Sequence, residues 1–300
     1  MAVPVFPSEA EARREDGFVH ASGGARLWWQ RYVPPEPRGT VAVLHGGGDH
    51  SGRYAGITRA LVRAGFTVAL LDFRGHGRSA RRRWHVSSFD DYVDDLEAFM
   101  ARVREADGGG APFVVAHSQG ALIAIRWALA SRRDVSGFVL SSPYLRLALK
   151  PPTLKLLAAQ VVGRVVPWLP ISTGLRVVDL TSDVEMQRWT DADPLYGRST
   201  TPSWFNASLR AQADALTRAR QFEYPMLVLA ASGDRIADVA AARTFVASAG
   251  SADKELRVYD RMQHEIFNER DRERSIGDAI AWLSERAPRE GAKCVDAPRG

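Results

Sequence analysis

Ser118 lies in the run Phe113-Val114-Val115-Ala116-His117-Ser118-Gln119-Gly120-Ala121, where a β-branched apolar stretch enters a turn of small residues and leaves it as an apolar, helix-forming stretch. A serine at such a strand-to-helix corner sits in a tight backbone with its hydroxyl exposed at the sheet edge, the geometry of a nucleophile elbow. The pattern is G-x-S-x-G except that Ala116 replaces the first glycine. The competing reading is an ordinary β-to-α turn with a serine at the helix start. What separates the two is whether the chain supplies a base, an orienting acid and an oxyanion site in the right order.

A serine hydroxyl is a weak nucleophile at neutral pH and needs a base within hydrogen-bond reach, itself oriented by a third group. Of the seven histidines, His264 alone falls in a loop after the last expected strand, in Asp260-Arg261-Met262-Gln263-His264-Glu265. His117 neighbours Ser118 but is expected to point away across the turn, and His76, in Arg74-Gly75-His76-Gly77, suits a structural hydrogen bond. The acid should follow the next-to-last strand, where Ser232-Gly233-Asp234 places Asp234 after a glycine turn. Asp238 is the alternative, but its place before a helix suits capping. The order Ser118, Asp234, His264 is that of α/β-hydrolases and differs from the orders of chymotrypsin-like and subtilisin-like enzymes. For an oxyanion, one N–H should come from Gln119 at a helix start and another from the glycine run His45-Gly46-Gly47-Gly48 after a strand.

The elements that would position these groups alternate. A hairpin spans 18–21 and 27–33 about Ser22-Gly23-Gly24; strands follow at 40–44, 67–72, 113–116 and 137–140; helices lie between them at 54–64, 89–104 and 120–131, with Ser87 or Ser88 capping the second. From about 146 to 218 the alternation stops, and helices and loops are broken by prolines. It resumes with strands at 226–231 and 255–259 and helices at 239–249 and 275–286. Such alternation implies a mostly parallel sheet with helices on both faces and the insertion above the strand carboxyl ends, where sites of open α/β sheets lie.

With these stretches in view, the chain resembles the monoglyceride lipase and lysophospholipase family of serine α/β-hydrolases. The resemblance runs from roughly 18 to 286 and is carried by Leu44-His45-Gly46-Gly47-Gly48-Asp49-His50-Ser51-Gly52-Arg53-Tyr54, Asp72-Phe73-Arg74-Gly75-His76-Gly77-Arg78-Ser79, Ala116-His117-Ser118-Gln119-Gly120, Asp193-Pro194-Leu195, Ser232-Gly233-Asp234 and the loop holding His264. It implies an α/β-hydrolase fold with an eight-stranded, mostly parallel sheet and a helical cap after strand 6, so that 1–145 and 219–290 are expected as the core domain and 146–218 as the cap; the Pro/Gly-rich end of the chain, 291–300, reads as a disordered tail. It implies Ser118, Asp234 and His264 as the triad, Gly47 and Gln119 as oxyanion donors, and Asp49 and Arg53 near the alcohol end of the substrate. The implied activity is hydrolysis of single-chain lipid esters through an acyl-enzyme, without metal or cofactor. Two departures stand out: Ala116 and Ala121 replace the glycines that relatives carry around the elbow, and Gln119 stands where many have Met.

Composition narrows the alternatives. The single cysteine, Cys294, permits no internal disulfide and suits the cytosol, and no Cys/His metal spacing exists. The amino-terminal segment lacks a basic stretch followed by an apolar one, so no secretory signal is expected, and no apolar run is long enough to span a bilayer. The net charge of +5 is spread out, with one sharp run, Arg81-Arg82-Arg83, read as a solvated loop or as a contact for anionic groups; nothing marks a nucleic-acid partner. The 154–166 stretch is apolar nearly all round and is expected as a helix, packed on the core or serving as a lid that lines an acyl tunnel and touches a membrane or micelle, with Trp168, Trp189, Trp204 and Phe205 lining the same cavity. The same triad could act on a peptide, a thioester or in acyl transfer, and a peptidase would show an acidic cluster for the substrate amine. A non-catalytic scaffold would more often lack a triad member.

Overall fold

The computed structural model describes residues 3–79, 81–148 and 163–287. The chain opens with the expected hairpin, β1 (Arg13–Ala21) and β2 (Ala25–Val33), longer than its apolar residues suggest because polar Arg13 to Asp16 still pair with Gln30 to Val33. Then follow β3 (Thr40–Leu44), α1 (Ala55–Arg63), β4 (Thr67–Leu71), α2 (Asp90–Ala106), β5 (Phe113–His117), α3 (Gln119–Ala130) and β6 (Gly137–Ser141). Ser88 accepts from the Asp90 N–H at 3.2 Å, and the Asp91 carboxylate reaches back to the Ser87 and Ser88 N–H groups, so the start of α2 is capped reciprocally.

Beyond β6 the chain leaves the sheet. The described part of this insertion contains β7 (Ile171–Ser172), α4 (Val177–Leu180), α5 (Val184–Ala192), β8 (Ser199–Thr200) and α6 (Pro202–Thr217), with β7 and β8 paired antiparallel. Asp183 caps α5, and Thr201 followed by Pro202 starts α6. The apolar helix expected at 154–166 lies outside the described residues except for a helical turn at 163–165, and the 291–300 tail lies outside them altogether. The sheet resumes with β9 (Met226–Ala231), α7 (Val239–Ser248), β10 (Lys254–Tyr259) and α8 (Arg272–Arg286). Asp238 caps α7 by accepting from the Ala240 N–H at 2.8 Å.

The eight strands are ordered β1-β2-β4-β3-β5-β6-β9-β10, antiparallel at β1-β2 and β2-β4 and parallel from β4 to β10. This is the mostly parallel sheet expected from the alternation, in the α/β-hydrolase arrangement that the resemblance implies. The parallel strands are buried on both faces, and their residues divide by parity: Ala42, Leu44, Val114 and Ala116 face the layer with α2 and α3, whereas Val41, Val43, Phe113 and Val115 face the layer with α1 and α8. All parallel strands therefore end at one edge, and the turns that follow β3, β5, β9 and β10 meet there.

Candidate active site

β5 ends at His117 and α3 begins at Gln119, so Ser118 alone makes the corner, at φ 53° and ψ −116°. A positive φ on a non-glycine residue stores roughly 1–3 kcal/mol of strain and persists only where the surroundings enforce it. Here the Ser118 N–H donates to Ser141 O at 2.9 Å, while Ser118 O accepts from Leu122 and Tyr144 N–H groups at 3.2 Å each. Gly120 lets α3 sit against β3: a Cβ there would stand 2.4 Å from His45 O. Ala116 and Ala121 are fully buried, so the packing has taken up both additional methyl groups.

His264 stands in the turn after β10 with Nε2 at 2.8 Å from Ser118 Oγ and Nδ1 at 2.7 Å from Asp234 Oδ2. The other Asp234 oxygen accepts from the Ile236 and Ala237 N–H groups at 2.8 and 2.9 Å, which holds the carboxylate toward the ring. With Nδ1–H donating to Asp234, Nε2 carries a lone pair for the serine proton. Burial pulls the imidazole pKa down, but the charge and hydrogen bond of Asp234, with Glu265 and Asp49 beyond, outweigh it and move it above its ordinary value. With the neutral ring as the base, ester hydrolysis should rise with pH through a midpoint above about 6.5. A kcat/KM profile flat from pH 5 to 8 would contradict this assignment.

His117, expected to point away across the turn, does not point clear of the site. Its Nδ1 pairs with Ser141 Oγ at 3.1 Å, and its ring lies 4.8 Å from that of His264, where it walls the cavity. His45 holds the glycine loop: Nδ1 donates to Gly46 O at 2.7 Å, and Nε2 accepts from the Phe73 N–H at 3.0 Å. His76 makes the expected structural bond, donating from Nδ1 to Arg74 O at 2.9 Å.

Gly47 and Gln119 both line the cavity beside Ser118. The Gln119 N–H opens α3 and is one of the first-turn donors a helix leaves unpaired. A Cβ at Gly47 would fall 2.5 Å from the Trp84 ring and 2.8 Å from Gln119 Oε1, so this loop position excludes a side chain. The Gln119 side chain is clamped: its Oε1 accepts from Trp84 Nε1 at 3.0 Å and Trp204 Nε1 at 2.9 Å. Trp204 is on α6 of the insertion, so this amide joins the insertion to the first residue of α3, beside Ser118. Gln119→Met should leave two buried indole N–H groups without an acceptor and destabilise the fold by about 2 kcal/mol or more, read as a lower urea midpoint. An unchanged midpoint would show that the indoles find other acceptors.

Asp49 lines the cavity, but Arg53 stands behind its wall, fully buried. Arg53 Nε is 2.8 Å from Asp49 Oδ1, Nη2 is 2.6 Å from Glu265 Oε2, and Nη1 donates to Thr190 of α5 at 2.5 Å. The guanidinium also lies over the Trp189 and Tyr196 rings, at 5.2 and 5.1 Å from their centres. Trp204 and Phe205 line the cavity as expected, whereas Trp189 packs on Arg53 and Trp168 is 50% exposed.

Two acidic residues of the histidine turn escape sequence reasoning. Glu265 joins Arg53 to the cavity wall, and buried Glu269 accepts from the Gln263 and Ser182 N–H groups at 2.7 and 3.0 Å, tying the turn to the insertion. The only sequence signal was their closeness to His264. The insertion is stitched on the opposite rim too: the Gly197 N–H donates to Gly48 O at 2.6 Å, and His50 Nε2 pairs with Asp193 at 2.7 Å. The cavity, about 750 Å³ with its solvent-open mouth included, is lined on the side away from the triad by Leu147, Leu175, Leu180, Tyr144, Phe205 and Ile236.

Comparison with known proteins agrees with this architecture. The family model described as serine aminopeptidase, S33, matches residues 35–271. The chain is 32% identical to the human monoglyceride lipase over 259 residues, 84% of each chain. It is 30% identical to phospholipase YtpA of Bacillus subtilis over 252 residues, 83% of this chain and 96% of that protein. The crystal structure of Paleococcus ferrophilus monoacylglycerol lipase superposes with a TM-score of 0.79 at 28% identity, covering 87% of this chain and 99% of that one. The chain therefore belongs to the serine aminopeptidase S33 family of α/β-hydrolases and stands within it beside the monoglyceride lipases.

Proposed function

We propose that the protein hydrolyses carboxylic esters of single-chain lipids, monoacylglycerols foremost, through a Ser118 acyl-enzyme. The observation that carries this is the unbroken Ser118–His264–Asp234 relay opening into an apolar cavity. Ser118 Oγ attacks the ester carbonyl as its proton passes to His264 Nε2, and the Asp234 carboxylate stabilises the imidazolium. The Gly47 and Gln119 N–H groups face the oxyanion, and His264 returns the proton to the departing alcohol. Water then repeats the sequence on the acyl-enzyme and frees the fatty acid.

The 146–218 segment is the cap of this site and bears its contact with lipid. Apolar side chains stand exposed in its described part, Val165 at 71% and Trp168 at 50%, and also Leu169, Ile171, Val178 and Val184. Arg82 donates to the Trp168 carbonyl at 3.4 Å, which sets part of the basic run beside Trp168. Among the described residues no helix is long and apolar enough to cross a membrane, so the contact proposed is peripheral.

A peptidase reading draws on the carboxylates of Asp49 and Glu265, but both are paired with Arg53. The apolar walls favour an acyl chain. Rates on matched monoacylglycerols, lysophospholipids and short aryl esters test the reading, with monoacylglycerols expected fastest. Hydrolysis confined to short aryl esters would sink it.

A further inference from the structure

We infer that Glu265 selects the leaving alcohol, accepting hydrogen bonds from the hydroxyls of an uncharged polyol head group and disfavouring a phosphorylated one. This rests on the reading that Ser118 cleaves esters of single-chain lipids. His264 must hand its proton to the departing oxygen, so the alcohol lies on the histidine side of Ser118. Glu265 is the next residue, and its N–H donates to Leu180 O at 2.7 Å, which fixes the backbone there.

Its side chain is 5% exposed and lines the cavity. Oε2 is occupied, by Arg53 Nη2 at 2.6 Å and Asn268 Nδ2 at 3.0 Å. Oε1 has no hydrogen-bond partner among the described residues. Tyr196 also lines the cavity at this end, while the two other ionised groups there, Asp49 and Arg53, are paired with each other. Asp49 Oδ1 accepts from the His50 N–H at 2.8 Å and forms an ion pair with Arg53 Nε at 2.8 Å, and its Oδ2 accepts from Tyr54 OH at 2.9 Å. Arg53 is fully buried behind the wall and offers nothing to a ligand. The cavity therefore presents an acceptor here, carried by Glu265. Two carboxylates share one guanidinium, and the remaining negative charge stands where a phosphate would have to enter.

Glu265→Gln tests this with little disturbance, because the amide oxygen can still accept from Arg53 while the amide nitrogen replaces Oε1 as a donor. kcat/KM is measured on three substrates with one acyl chain: the 1-monoacylglycerol, the methyl ester and the acylglycerol phosphate. The variant should fall about 10-fold more on the monoacylglycerol than on the methyl ester, mainly through KM, and gain on the phosphate relative to the monoacylglycerol. An equal fall on the monoacylglycerol and the methyl ester overturns the proposal, because Glu265 would then act through His264 or the fold. So does an unchanged profile, or a wild-type preference for the phosphate. If the wild-type protein cleaves neither the methyl ester nor the monoacylglycerol, the lipid-ester reading itself falls, and the proposal with it.

Discussion

Replacing Ser118 with alanine should reduce ester hydrolysis by roughly 10³-fold or more and abolish labelling by a fluorophosphonate probe. Ser118 Oγ is the one oxygen that His264 Nε2 reaches, at 2.8 Å, and the neighbouring Ser141 hydroxyl is turned to His117. Alanine removes the attacking atom and leaves the glycine loop and cavity in place, so residual turnover would reflect binding and the oxyanion position alone. The fold should hold, because Ser118 uses only its backbone N–H and C=O to fix the corner, and losing a side chain relaxes little at φ 53°. Unchanged hydrolysis, or labelling that persists at another residue, would move the chemistry elsewhere.

The largest effect on stability is expected at Arg53. Arg53→Ala leaves Asp49 and Glu265 buried without their shared cation, opens a cavity beneath Trp189 and Tyr196, and cuts the link to Thr190. Removing one partner of a buried charge cluster costs about 3–5 kcal/mol, because the remaining charges keep their desolvation penalty. For a domain of this size that is a melting temperature lower by roughly 10 °C. Thermal melting of the variant checks it, with an unchanged transition as the contrary result. Arg53→Lys should rescue little, since one ammonium cannot meet two carboxylates and a hydroxyl from three directions.

The element order and the sheet were legible because their causes are local. Short continuous apolar runs rich in β-branched residues make the parallel strands, buried on both faces, and a glycine follows the ends of α1, α2 and α7. Boundaries moved where polar residues join a ladder, as Arg13 to Asp16 do in β1, since backbone pairing needs no apolar side chain. His117, expected to point away across the turn, walls the site instead, because the last residue of β5 sits where the sheet edge opens into it.

The candidate nucleophile, base and acid could be named from the chain alone because each falls on a strand-end turn, and a parallel sheet brings all such turns to one edge. Asp234 and Asp238 separate on local grounds as well, since a carboxylate just before a helix is drawn to its free N–H groups. What lies around them follows from contacts between residues far apart in sequence. Arg53 joins Asp49 to Glu265 and Thr190, and Gln119 joins Trp84 to Trp204. No spacing or periodicity encodes such pairings, because burial makes an ion or amide find whichever partner the fold brings within reach. Which oxygen is left facing the cavity depends on how those partners are shared, and that sharing arises only when the insertion closes over the strand ends.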